Sequence, residues 1–150
     1  MDLSNLMVAD EAKAVRLTHP SNGRPLGTDD KPCRVFIVPP SHPRMRAMER
    51  RISDARLQNA VGARGRMKLT AEELENEATD RLVACIDSWE NIDVQGKPLK
   101  MSAENARMLM TTPGWRWLRD QIDQALGDTG TFLQTDESKT SKPSADSTSD

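Results

Sequence analysis

Tyrosine is absent from the chain, and its 150 residues hold only two phenylalanines, three tryptophans, two cysteines and two histidines. Each shortage removes a class of function. Cys33 and Cys85 are too few, and too far apart, for a disulfide framework or a paired-cysteine metal site. Cys85 falls on the apolar side of an expected helix and reads as a buried, reduced thiol, which suits a reducing compartment. His19 and His42 each precede a proline in turn-like surroundings, with no ligand cluster at metal spacing, so neither metal nor cofactor is expected. No serine sits in a Gly-x-Ser-x-Gly elbow, and Gly62-Ala63-Arg64-Gly65 lacks the Gly-Lys-Ser/Thr ending of a phosphate loop. The expectation is a protein that is not an enzyme. Long apolar runs are missing too, and the opening MDLSNLMVADEAKAV lacks a basic start and is broken by Asp10 and Glu11. That pattern predicts a soluble, intracellular protein with no membrane segment.

What the chain does have is segregated charge. From Arg44 to Lys68, eight basic residues face two acidic ones; from Glu72 to Asp93, eight acids face a single arginine. Two solvated helix faces that attract each other, within the fold or across a subunit contact, are the simplest account. The overall charge of −2 argues against a generally basic nucleic-acid binder, and the arginine-rich segment has no aromatic residue to stack on bases.

The periodicities predict an α+β protein. Residues 1–12 are weakly patterned, a flexible start with room for a short helix, and 13–133 form one domain. Within it, 13–40 should be a β-hairpin or meander: Ala14–Thr18 alternates, His19–Pro25 is turn chemistry, and Cys33–Val38 is the strongest strand signal, ended by Pro39-Pro40. A hairpin alone is marginal in water and must lean on helices or pair with another chain.

Residues 43–127 should be helical, in about four helices. Met45, Met48, Ile52 and Ala55 trace one stripe, with Arg46, Arg50, Arg51 and Arg56 giving that helix a basic face, before Gly62-Ala63-Arg64-Gly65-Arg66 interrupts it. Thr70 with Glu73 forms a capping box ahead of Leu74, Ala78, Leu82, Cys85, Ile86 and Trp89, read as one helix ending in tryptophan. Ser102 caps a further helix with Ala106, Leu109 and Met110 inward, and Pro113 opens a last one carrying Trp115, Leu118, Ile122 and Ala125 on its apolar side. Residues 134–150 have almost nothing to bury and are expected to be a disordered tail.

Trp89, Leu82, Ile86, Leu118 and Ile122 are the expected core. Trp115 and Trp117 lie about 200° apart on an ideal helix, so one is assigned to the core (Trp115) and the other to a partner surface (Trp117). Met108 and Met110 are adaptable side chains suited to the same surface, and Arg50 and Arg51 are its charged candidates.

Taken in order, these features resemble a family. Pro20-Ser21-Asn22-Gly23-Arg24-Pro25-Leu26 between strands, a Trp-ended segment at Trp89, Gly96-Lys97-Pro98-Leu99, Ser102-Ala103-Glu104-Asn105, a Pro-bounded final helix and the closing Phe132-Leu133 resemble the tail assembly chaperones of long-tailed, siphovirus-like bacteriophages. The resemblance spans about residues 13–133; the paired Trp115 and Trp117 are less typical. It implies a chaperone in the host cell cytoplasm that binds the tape measure protein, keeps it soluble and helps recruit tail tube subunits, with self-association as a further expectation. The second expectation is a structural virion protein, such as a minor tail or head–tail joining component, and the third is nucleic-acid binding through the arginine-rich helix.

Overall fold

The computed structural model describes residues 1–62 and 69–133; the glycine-rich interruption at 63–66 and the expected disordered tail at 134–150 lie outside the described residues. The fold is α+β, with an antiparallel three-stranded sheet in the order β1-β2-β3. β2 (Arg34–Ile37) is the middle strand because its side chains alternate: Val35 and Ile37 are buried, while Arg34 and Phe36 are half-buried on the opposite face. On that outer face the Arg34 guanidinium lies 5.5 Å from the Phe36 ring centre and pairs with Glu90. β1 (Lys13–Arg16) sets Val15 opposite Val35, and the β1–β2 connection folds back on itself through Leu26 N donating to Leu17 O at 2.8 Å and Leu17 N to Cys33 O at 3.0 Å.

Two antiparallel helices intervene before the third strand. α1 (Pro43–Gly62) packs on α2 (Ala71–Cys85). The capping box opens α2 as its sequence predicts: Glu73 N donates to Thr70 Oγ1 at 3.1 Å and Thr70 N to Glu73 Oε1 at 2.9 Å. Of the segregated charges, Arg56 bonds to Glu77 across this helix pair and Arg44 lies near Asp87 just beyond α2, while Arg81 and Glu49, the minority charge of each segment, pair the opposite way. The hydrogen bonds from Arg56 hold the Glu77 carboxyl below its ordinary 4.5. A depressed folded value means the pair's contribution is full above the unfolded carboxylate value and is lost as pH falls through the lowered one.

The helix expected to run to Trp89 stops at Cys85. Ile86 begins β3 (Ile86–Glu90), which pairs with β2. The misreading has a physical cause. Phe36 lies opposite Ser88 and Ile37 opposite Ile86, so Asp87 is an extra residue in a β-bulge. Ile86 and Trp89 therefore face the same side although they stand three apart, a spacing that imitates a helical stripe. Two more short strands follow, β4 (Asp93–Val94) and β5 (Lys97–Pro98). The turn between them uses positive φ at both Gln95 (54°) and Gly96 (78°), the twist that suits a two-residue hairpin. The stretch 43–127, expected to hold about four helices joined by turns, also contains three strands between 86 and 98.

α3 (Ala103–Thr111) is capped by Ser102, whose Oγ accepts from Asn105 N at 3.0 Å. A 3-10 turn at Pro113–Trp115 leads into α4 (Arg116–Gly127), and α5 (Thr129–Phe132) is the last helix among the described residues. Leu82, Ile86, Leu118 and Ile122 are buried, as is Phe132, while Trp89 is half-buried against this core. Residues 1–12, expected to be flexible, form a 3-10 turn at Leu3–Leu6, and Val8 bridges to Leu133; Leu3, Leu6 and Met7 stay exposed.

Two polar side chains fasten α4. Gln121 clamps the backbone just after β1, donating from Nε2 to Thr18 O at 2.8 Å and accepting from Thr18 N at 3.0 Å. Arg119 is 5% exposed and donates to Thr79 Oγ1 at 2.7 Å and Met110 O at 3.1 Å, with Glu75 at 3.1 Å. It joins α2, α3 and α4 at one point. Replacing Arg119 with alanine leaves the Met110 carbonyl unpaired in a buried place, while the Thr79 hydroxyl keeps only its bond to Glu75 O at 3.0 Å, and should cost about 2–3 kcal/mol in urea unfolding. Stability equal to wild type would show that solvent takes over those bonds.

Candidate functional site

The three tryptophans converge on one side of the molecule. A cavity of about 310 Å³ opens between the β1–β2 connection, the β3–β4 turn and the start of α4. Leu17, Leu26 and Cys33 form one wall, Ile92 and Val94 another, and Trp115, Trp117 and Leu118 the third. A second cavity of about 480 Å³ adjoins it, sharing Gly27, Asn91, Ile92 and Asp93 and bordered beyond them by Trp89 and Leu99. Together they make a trench with Trp115 and Trp117 at one end and Trp89 at the other.

Local structure explains each wall. Gly27 adopts φ 80°, and a side chain there would run into the Lys31 carbonyl and sit 2.8 Å from Cys33 N, so only glycine lets this loop close tightly over the trench. Asn91, at φ 59°, turns the chain out of β3 and donates from Nδ2 to Pro32 O at 2.8 Å, tying two walls together. The Trp89 indole donates to Leu99 O at 2.8 Å, fixing the ring and the strand end beyond β5. Asp93 is the charged residue common to both cavities, and Lys31 adds a cation at the second. Burial raises the pKa of the Cys33 thiol, so at neutral pH it presents a protonated, weakly polar surface to the trench. Cys85 lies inside the core, where burial pushes its thiol up to about 12, and it acts as a small apolar side chain.

The expected division between Trp115 and Trp117 does not hold. Both rings are half-buried and both line the same cavity. The 200° separation applies inside an α-helix, but Trp115 ends a 3-10 turn and precedes α4 with φ −111° and ψ 28°. This backbone bend brings the two rings to one side. Met110 is also corrected: at 3% exposed it belongs to the core and cannot meet a partner, while Met108 is half-buried against that core. Arg50 and Arg51 are exposed on α1, away from the residues that line the trench.

Leu26, Gly27, Asn91 and Ile92 line the trench and were not among the expected site residues. Their only sequence signal was turn chemistry, which marks a change of direction without saying what the turn will face. Among the described residues, no group of three or more His, Cys, Asp or Glu side chains comes together to hold a metal ion, and no helix is long and apolar enough to cross a membrane. Compared with protein-family models, curated proteins and solved structures, the chain matches none.

Trp89 carries both a packing and a hydrogen-bonding role, yet its ring is only half-buried. Trp89→Ala should therefore destabilise by about 2–3 kcal/mol, below the range for a fully buried ring. Chemical denaturation monitored by circular dichroism reads this directly; an unchanged midpoint would detach Trp89 from the sheet and its trench.

Proposed function

We propose that the protein is a non-enzymatic assembly chaperone of the long-tailed bacteriophage type, which holds apolar stretches of a tape measure protein in the tryptophan trench. The observation that carries this reading is the placement of all three tryptophans, none of them fully buried, around two adjoining cavities: a mainly apolar one holding Trp115 and Trp117, and a more polar one bordered by Trp89. Tryptophan gives a large contact area with few rotatable bonds, and is enriched where proteins grip partners. The order of turns, caps and closing residues from Pro20 to Leu133 supports the assignment of client. In this account the protein acts in the host cell cytoplasm, shields the client until tail tube subunits assemble around it, and uses its charged helices to keep the complex dispersed.

Trp117→Ala should still fold, with a loss of about 2 kcal/mol because the half-buried ring packs against the core, yet weaken the hold on the client. Loss of one such anchor commonly costs about 2 kcal/mol or more, which is over ten-fold in affinity. Co-expression with a candidate tape measure protein, followed by measurement of the soluble client fraction, provides the test. Wild-type retention by the folded variant would overturn the trench as client site. Stoichiometric recovery of the protein in purified particles would instead favour a structural virion component.

A further inference from the structure

Away from the tryptophans, α1, the α2–β3 junction and the start of α3 enclose a separate groove of about 410 Å³. Its floor is apolar, with Met48 from α1, Val83 and Ile86 from the junction and Met101 ahead of α3. Two arginines of α1 stand over this floor, Arg44 and Arg51. Arg44 is held in place: its Nε donates to the Ala84 carbonyl at 2.7 Å and its guanidinium lies 3.6 Å from Asp87. Arg51 is exposed and forms no ion pair among the described residues. Arg46 and Arg50, also exposed, add to the positive field along the same helix.

We propose that this groove is a second docking site, for a protein segment that carries a large apolar side chain next to a carboxylate. Both halves of that description come from the groove. Met48 and Met101 are unbranched and polarizable, so they can reshape around an inserted side chain. Arg51 offers an unengaged fork of donors at the rim, and a guanidinium binds a carboxylate through two parallel hydrogen bonds. Asp87, at the same rim but already near Arg44, excludes a second acid there and so sets the direction in which the segment lies. A nucleic acid fits the cations but not the floor, which has no aromatic face for a base. The site is independent of the tryptophan trench, with which it shares no lining residue.

A displayed random-peptide library selected on the intact protein, with counter-selection against its Arg51→Glu variant, tests the proposal. Arg51 is exposed, so this variant should keep the wild-type circular dichroism spectrum. The surviving peptides should combine Asp or Glu with Leu, Met or Phe. A synthetic peptide from that pool should bind Arg51→Glu at least about ten-fold more weakly, the ratio expected for losing one charge-assisted contact. Met101→Gln should weaken it as well, whereas Arg24→Glu, the same charge change on the β1–β2 connection, should leave it unchanged. An empty pool, peptides without acids, or equal binding to Met101→Gln would overturn the proposal. So would tighter, Arg51-dependent binding of a DNA duplex.

Discussion

The direct passage of α2 into β3, with no connecting loop between Cys85 and Ile86, is the constraint on which the rest of the structure depends. Because the helix becomes a strand without a break, burying one fixes the other. α2 packs against α1, α3 and α4, while β3 completes the sheet started far upstream by β1 and β2. Carbonyls at the junction are engaged as well: Cys85 O accepts from Val38 N at 2.9 Å, and Ala84 O accepts from Arg44. A chain whose hairpin could not stand alone thus acquires a third strand and a helical layer in one step.

Both proposed grooves follow from that junction. The β-bulge at Asp87 keeps Ile86 and Trp89 on the core side, and the strand then delivers Asn91 and Ile92 to the tryptophan trench. Towards α1, Val83 and Ile86 form the floor beneath Arg44 and Arg51. The polar fasteners complete the frame. Arg119 locks α4 against α2 and α3, and Gln121 ties α4 to the chain leaving β1. These bonds place Trp117 and Leu118 opposite Leu17 and Leu26, which is why the trench has a defined shape rather than being a gap between loose elements.

Local signals in the sequence were legible where the chemistry was local. The Thr70–Glu73 capping box, the Ser102 cap, the strand at Arg34–Ile37 and the inward Leu118 and Ile122 all stand where their patterns put them. Two of the failures share one cause, an irregular backbone. The bulge made a strand imitate a helical period at Ile86 and Trp89. The 3-10 turn at Pro113–Trp115 cancelled the angular argument that separated Trp115 from Trp117. Met110 reads both as inward on the α3 stripe and as an adaptable partner contact; the inward reading holds, one turn after Ala106, and the partner contact does not. The trench itself was not legible, since it is built from turns that meet only in three dimensions.

The central claim is that the tryptophan trench is where a client is held. Amide hydrogen exchange of the protein alone and in complex with the tape measure protein measures this most directly. The account predicts slower exchange on binding in the loop around Gly27, in the turn around Asn91 and Ile92, and at the start of α4 around Trp117. Unchanged exchange at all three, with the complex demonstrably formed, would contradict it.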